Sequence, residues 1–230
     1  MNLQGEIMNQ SDINNKNAWK KAIQNHIMLY PSEHVARFLG RNYSKLDRSI
    51  LNKMSAIDIG TGSGRNLKAM LDYGFQAYGI DYVNEACDVA KNILQDYENL
   101  KEIYCGDFAE YNFNMQFDVI VIFGLIFFRD LKSIKHDLSV LNKLLKNNGK
   151  MCINFRSKYD YLYNTGKKID DNTFILEGEY NGATYSFFDL DEVKELLTNA
   201  GFKIENIERE DYYKDNLSKY NSWWILQVTK

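Results

Sequence analysis

Residues Ala56-Ile57-Asp58-Ile59-Gly60-Thr61-Gly62-Ser63-Gly64-Arg65 decide the fold. A short apolar run carrying one acid enters a turn in which glycine alternates with Thr and Ser, and a helical pattern over Asn66 to Tyr73 follows. Strand, glycine turn and helix in that order make a ligand-binding unit. Glycine admits positive φ and lets a ligand approach the backbone, while a helix N-terminus offers free N–H donors. Two spacings use such a turn. The G-x-G-x-x-G fingerprint of nicotinamide dinucleotide sites, counted from Gly60, puts Arg65 where the third glycine belongs. The spacing G-x-G-x-G with an acid two residues ahead is met by Asp58, Gly60, Gly62 and Gly64.

Outward from this stretch, strand and helix alternate. Gln76 to Ile80 reads as a strand ending at Asp81, Glu85 to Tyr97 as a helix, Leu100 to Cys105 as a third strand and Phe117 to Phe123 as a very apolar fourth. Leu131 to Lys146 reads as a long helix, and Lys150 to Phe155 as a fifth strand after an Asn-Asn-Gly stop. Near-continuous apolar strands in such alternation predict a parallel sheet buried on both faces. Residues 157–188 break the pattern: they are Tyr-rich, and Asn181-Gly182 between two strand-like runs predicts an inserted hairpin. Leu190 to Ala200 is a helix closed by Gly201, followed by strands at Phe202 to Ile207 and Trp223 to Val228 with no helix between them, so the final strand is expected to be antiparallel. Ahead of the core, Trp19, Ala22, Ile23, His26 and Ile27 recur at helical spacing, and Pro31-Ser32 introduces a second helix.

Two acids then fall at strand ends in order. Asp81 closes Tyr78-Gly-Ile-Asp-Tyr82, 17 residues after Gly64, and Cys105-Gly-Asp-Phe108 closes the third strand. With Phe117-Asp-Val-Ile-Val-Ile-Phe-Gly124, Leu144-Leu-Lys-Asn-Asn-Gly-Lys150 and Leu197-Thr-Asn-Ala-Gly-Phe202, the sequence resembles the class I S-adenosylmethionine-dependent methyltransferases over roughly residues 54–156 and 186–230. The resemblance implies a Rossmann-like, seven-stranded, mostly parallel sheet with helices on both faces and an antiparallel final strand. It divides the chain into an N-terminal arm and helical cap (residues 1–53) and a cofactor-binding core (54–230), with 157–188 inserted on the substrate side. It also implies S-adenosyl-L-methionine as cofactor and S-adenosyl-L-homocysteine as product. Asp58 would lie near the methionine amino group, with Gly60, Thr61, Gly62 and Gly64 forming the turn. Asp81, beside Tyr82, would take the ribose diol; Asp107 would take the adenine amino group, and Phe108 the ring. Phe123 and Gly124 would meet the methionyl part.

Composition narrows the partners. With 28 Lys+Arg against 31 Asp+Glu, a net charge of −3 and no basic stripe, nucleic acid is not expected. The fourth strand also runs into Phe-Gly-Leu-Ile instead of the Asn/Asp-Pro-Pro-aromatic loop of amino-methylating DNA enzymes. The longest apolar run, Val119 to Phe128, is half of what a bilayer requires, and the N-terminus reads as no export signal. Three scattered cysteines without Cys/His pairing indicate neither a disulfide framework nor a metal site, and a reducing cytoplasm fits. A small molecule is the expected acceptor. Trp19, Arg37, Arg129 and Arg156 are candidates to hold it, the arginines as forks for a phosphate or carboxylate. His34, Tyr30 and Asp130 are candidates for a general base. The lead-in around Trp19, Tyr30-Pro-Ser-Glu33 and Arg37-Phe-Leu39 is similar to that of small bacterial methyltransferases of surface-polysaccharide and secondary-metabolite pathways, which would favour a sugar, a nucleotide-linked sugar or a phosphorylated precursor. Two other readings share the pocket: a cofactor-binding regulatory module without catalysis, and an aminopropyltransferase on the same fold. Oligomeric state has no signature in the sequence.

Overall fold

The computed structural model describes residues 27–230; the expected helix around Trp19 lies outside the described residues. Strands β1 (Ser55–Ile59), β2 (Gln76–Asp81), β3 (Leu100–Cys105), β4 (Phe117–Ile122) and β5 (Leu145–Ser157) run parallel in the order β3-β2-β1-β4-β5. Past β5, the sheet continues through β10 (Lys219–Thr229), antiparallel to β5, and ends at β9 (Lys203–Lys214), antiparallel to β10. These seven strands are the Rossmann-like methyltransferase sheet. The insertion supplies three more, β6 (Lys167–Lys168), β7 (Thr173–Ile175) and β8 (Thr184–Phe188), paired antiparallel to one another.

Alternation within β1 shows why the sheet is buried on both sides. Ala56 faces the cluster that holds α1 (Glu33–Tyr43), α3 (Arg65–Tyr73) and α4 (Asn84–Leu94), with the four-residue α2 (Arg48–Leu51) at its edge. Ile57 and Ile59 face the opposite cluster, with α5 (Leu131–Leu144) and α6 (Leu190–Asn199). Burial of each such branched side chain contributes about 1.5–3 kcal/mol. Residues 106–116, between β3 and β4, form no helix, and aromatic packing covers that face. Tyr104 contacts Tyr78, Tyr111 and Phe113, and Phe117 is edge-on to Tyr78 and Phe113.

Three elements differ from expectation. β5 begins at Leu145 and passes through the Asn-Asn-Gly segment expected to precede it; Asn148 takes a left-handed φ of 62° and the β4–β5 register shifts there, so the chain bulges and continues. The expected hairpin is present around Asn181-Gly182, but β8 also pairs in parallel with Arg156 and Ser157 at the end of β5. The insertion is thereby fused to the main sheet. The last two strands are longer than their apolar runs, because β9 is half-exposed and alternates along its length.

The glycine turn is held from behind by Asp58. Its Oδ2 accepts from the Thr61 hydroxyl at 3.0 Å and from the Leu67 N–H in the first turn of α3 at 3.1 Å. Burial pushes the Asp58 pKa up to about 7, against the pull of those hydrogen bonds and of Arg65. Gly64, the α3 N-cap, has φ 84°, and a Cβ there would come within 2.9 Å of Leu94 Cδ1. Gly64→Ala should therefore lose about 1–3 kcal/mol in urea unfolding, and Gly62→Ala, whose Cβ would meet nothing within 4 Å, about 1 kcal/mol from left-handed strain alone. Asp58 supplies a pH signature. Its folded pKa of about 7 exceeds the ordinary 3.8, so the native state holds a proton that the unfolded chain releases, and this group's contribution falls as pH rises from about 4 to 7. Asp58→Asn keeps an acceptor oxygen but cannot titrate. Across that window the wild type should lose stability relative to Asp58→Asn, with a slope up to about 1.4 kcal/mol per pH unit.

Candidate active site

The carboxyl ends of β1, β2 and β4 lie side by side, because all three strands run the same way. Open parallel sheets bind ligands at this edge. A cleft there is lined by Gly60, Thr61, Gly62, Ser63, Arg65 and Asn66 from the turn and α3, by Asp81 and Tyr82 after β2, and by Phe123, Gly124 and Leu125 after β4. Met28 closes it from the N-terminal segment, whose hold on the turn is direct: Ser63 Oγ donates to the Met28 carbonyl at 2.5 Å and the Ser32 N–H donates to Asn66 Oδ1 at 3.0 Å.

Glycine is required here for two different reasons. Gly60, at φ 75°, packs so closely on Leu125 that a Cβ would sit 3.0 Å from Cδ2. Gly62 (φ 55°) and Gly124 (φ 84°) line the cleft, and a Cβ on either would project into open space. That space is what a ligand lying on the backbone would occupy. Asp81 is buried; its Oδ2 accepts from the Gly62 N–H and its Oδ1 from the Val83 N–H, both at 2.9 Å. The carboxylate is oriented as recognition of a diol requires. Turn, acid and open glycine surface fit the nucleoside and amino-acid parts of S-adenosylmethionine.

Of the residues expected at the cofactor, Gly60, Thr61, Gly62, Asp81, Tyr82, Phe123 and Gly124 line the cleft. Asp58 and Gly64 stand behind it as supports. Asp107 and Phe108 are outside the lining. Asp107 is bonded to the Arg129 guanidinium and accepts from the Ala109 N–H at 2.9 Å, and Arg129 lies 5.8 Å from the Phe108 ring centroid. Arg129 Nε also faces Asp137 at 3.2 Å. Asp137 is fully buried, and burial pushes its pKa up to about 6 despite that guanidinium. Arg129 therefore braces the Asp107 turn.

The other arginines read as substrate forks are likewise engaged by acids. Arg37 Nη2 lies 3.0 Å from Glu208 and 2.8 Å from His34 Nδ1. Arg156, 5 % exposed, donates to Asp160 at 2.7 Å inside an aromatic box, 4.2 Å from the Trp223 ring centroid and 5.3 Å from that of Tyr185. Trp19 lies outside the described residues.

None of the three base candidates lines the cleft. Tyr30 is 84 % exposed, and Asp130 caps α5 by accepting from the Ser133 N–H at 2.8 Å. His34 is buried and stacks on Phe123 with centroids 5.9 Å apart, one layer behind the wall. Its Nδ1 lies 2.8 Å from Arg37 Nη2 and its Nε2 3.1 Å from Glu210. Both ring nitrogens are engaged. Met28, Ser63, Arg65, Asn66 and Leu125 line the cleft without having been singled out from the sequence. For Arg65 the signal was present: a cation directly after the last glycine of the turn.

Known proteins agree with this geometry. Solved structures similar to this chain include an S-adenosylmethionine-dependent methyltransferase from Methanosarcina mazei (18 % identity, TM-score 0.66, covering 89 % of this chain and 99 % of that one). Another, from Clostridium acetobutylicum, has 17 % identity and TM-score 0.61, covering 93 % and 96 %. The 1,6-didemethyltoxoflavin-N1-methyltransferase of Burkholderia thailandensis, solved with 1,6-didemethyltoxoflavin and S-adenosylhomocysteine bound, has 13 % identity and TM-score 0.66, covering 100 % and 98 %. At these identities the likeness is one of fold. A search of curated proteins returns no match. The family model described as "Methyltransferase domain" matches residues 32–207, most of the chain. With the glycine turn, the strand-end acid and the sheet order in place, the chain belongs to the methyltransferase-domain family, with the class I S-adenosylmethionine-dependent fold.

Proposed function

We propose that this protein transfers a methyl group from S-adenosylmethionine to an oxygen of a small polar metabolite, such as a sugar, a nucleotide-linked sugar or a phosphorylated precursor. The observation that carries the reading is the cleft at the carboxyl edge of β1, β2 and β4, where Gly62 and Gly124 leave backbone open to a ligand beside the oriented Asp81 carboxylate. The cofactor supplies a methyl group on a sulfonium, already bonded to a good leaving group. The chain's task is to hold donor and acceptor in line, and such positioning can contribute about 7–11 kcal/mol. Asp81 anchors the ribose, the glycine turn takes the amino-acid portion, and the segment around Met28 keeps water from that side of the cleft.

Among the described lining residues, no side chain is placed to take a proton: the Asp81 carboxylate already accepts two backbone N–H groups, and His34 stands behind Phe123 with both nitrogens engaged. The acceptor therefore enters already nucleophilic, and an ionised phosphate, carboxylate or acidic hydroxyl oxygen asks least of the chain. The insertion over β6–β8, joined to the end of β5, covers the acceptor side in this reading.

Isothermal titration should give micromolar S-adenosylhomocysteine binding, with Asp81→Ala weakening it about 10- to 100-fold as charge-assisted hydrogen bonds are lost. Release of S-adenosylhomocysteine across a panel of ionised and neutral acceptors should occur with ionised oxygens, and kcat/KM should follow the acceptor's own pKa. No cofactor binding by folded wild type would overturn the methyltransferase reading. A pH profile fixed across acceptors of different pKa would overturn the absence of an enzymic base.

A further inference from the structure

The fold brings together two cysteines that methyl transfer does not use. Cys87 closes the first turn of α4 and is fully buried, whereas Cys105 ends β3 and is exposed. Ile103 packs into the cluster that holds α4 and Cys87. Side chains alternate along a strand, so Cys105, two residues on, is directed to the same face. The two thiols are within hydrogen-bond reach of one another, and neither is in a disulfide. Asp81 stands between them. β2 and β3 pair Asp81 with Cys105, and the Gly106 N–H donates to the Asp81 carbonyl at 2.9 Å. Cys87 Sγ donates to the same carbonyl and to that of Tyr104, both at 3.4 Å. The Val83 N–H, which holds Asp81 Oδ1, belongs to the N-cap of α4, and the Val83 carbonyl accepts from the Cys87 N–H at 3.2 Å. The thiol pair is thus tied to the acid twice, through its carbonyl and through Val83.

We propose that Cys87 and Cys105 form a reversible disulfide under peroxide, and that this bond moves the Asp81 carboxylate out of its cofactor-binding orientation. The effect on the cofactor rests on the methyltransferase reading above. Hydrogen peroxide is the oxidant. The exposed Cys105, as thiolate, attacks one peroxide oxygen: an S–O bond forms, the O–O bond breaks and hydroxide leaves, so that sulfur is oxidised to a sulfenic acid and peroxide is reduced. The Cys87 sulfur then displaces the sulfenic hydroxyl: an S–S bond forms, the S–O bond breaks, and the departing hydroxide carries off the Cys87 proton as water. Burial, and after it the Cys105 thiol, push the Cys87 pKa up, which keeps Cys87 inert until its partner is oxidised. A disulfide brings its sulfurs to about 2.05 Å, far inside van der Waals contact. Closing it draws the first turn of α4 toward the end of β3 and ends the thiol's donation to the Asp81 carbonyl. Val83 moves with that turn, and its N–H is one of the two that orient the carboxylate.

The test compares full-length protein, reduced and peroxide-treated, with circular dichroism confirming that each sample is folded. Non-reducing peptide mass mapping should find Cys87 linked to Cys105, with the fully buried Cys152 still a thiol, and dithiothreitol should restore the pair. S-adenosylhomocysteine should bind about 10-fold more weakly after oxidation and regain its affinity on reduction. By linkage, saturating S-adenosylhomocysteine should disfavour the bridge by the same factor in a glutathione redox buffer. Cys105→Ser should bind as the reduced wild type does, before and after peroxide. Cys87→Ala, which lacks the second thiol, should carry Cys105 as a sulfinic acid in place of the bridge. Cys105 oxidised in wild type without a link to Cys87, a link between two chains, a bridge that leaves affinity unchanged, or an equal loss of affinity in Cys105→Ser would each overturn this inference alone. Failure of the reduced wild type to bind S-adenosylhomocysteine would overturn the methyltransferase reading itself.

Discussion

The buried Asp58 carboxylate is the constraint on which the site depends. A carboxylate taken out of water without a counter-charge in contact is expensive, and the raised pKa is the measure of it. What the chain gains is a knot. One oxygen ties the end of β1 to the hydroxyl of the turn and to the first turn of α3, so strand, glycine turn and helix axis are fixed relative to one another. The rest follows. With α3 fixed, Arg65 projects from its first turn into the cleft; with the turn fixed, the Gly62 N–H reaches Asp81 across the β1–β2 pair and holds that carboxylate in place. An apolar residue at position 58 would pack at lower electrostatic cost and leave the turn without its anchor.

A second set of charges braces the periphery. His34, Arg37 and Arg41 lie on one face of α1 and meet Glu208 and Glu210, alternate residues on one face of β9. Burial opposes ionisation of Glu208, but the Arg41 and Arg37 guanidiniums hold its pKa below the usual carboxylate range. The apolar side of the same helix, with Val35, Phe38 and Leu39, packs into the core around α3. α1 is thus pinned from both sides, and through the His34–Phe123 stack it fixes a wall of the cleft.

How much of this was legible in the sequence depended on the range of the interaction. β1, the turn, α3 and β2 were readable because each is set by neighbours within a few residues: apolar alternation, glycines needing positive φ, an acid at a strand end. That the sheet is mostly parallel followed from strand–helix alternation. The partners of the charges were not legible where they lie far along the chain. Nothing local to Arg37 reveals that β9 will deliver Glu208, and nothing local to Arg129 reveals that the β3 turn will deliver Asp107. Arg156 pairs with nearby Asp160, yet its aromatic box comes from Phe127, Tyr185 and Trp223, gathered from three separate segments. Arg65 was overlooked for the opposite reason. It was read as a glycine missing from another fingerprint, and its place in the cleft lining came only with the fold.

Most of the ionisable groups described around the site are satisfied by the fold itself. Asp58, Asp107, Asp130, His34, Arg37, Arg129 and Arg156 are all committed to holding backbone or one another. A group committed in that way is a good support. A displacement at a sulfonium needs little more: its leaving group departs neutral, and rate comes from alignment. Rigid bracing around the cleft is the arrangement such a reaction favours.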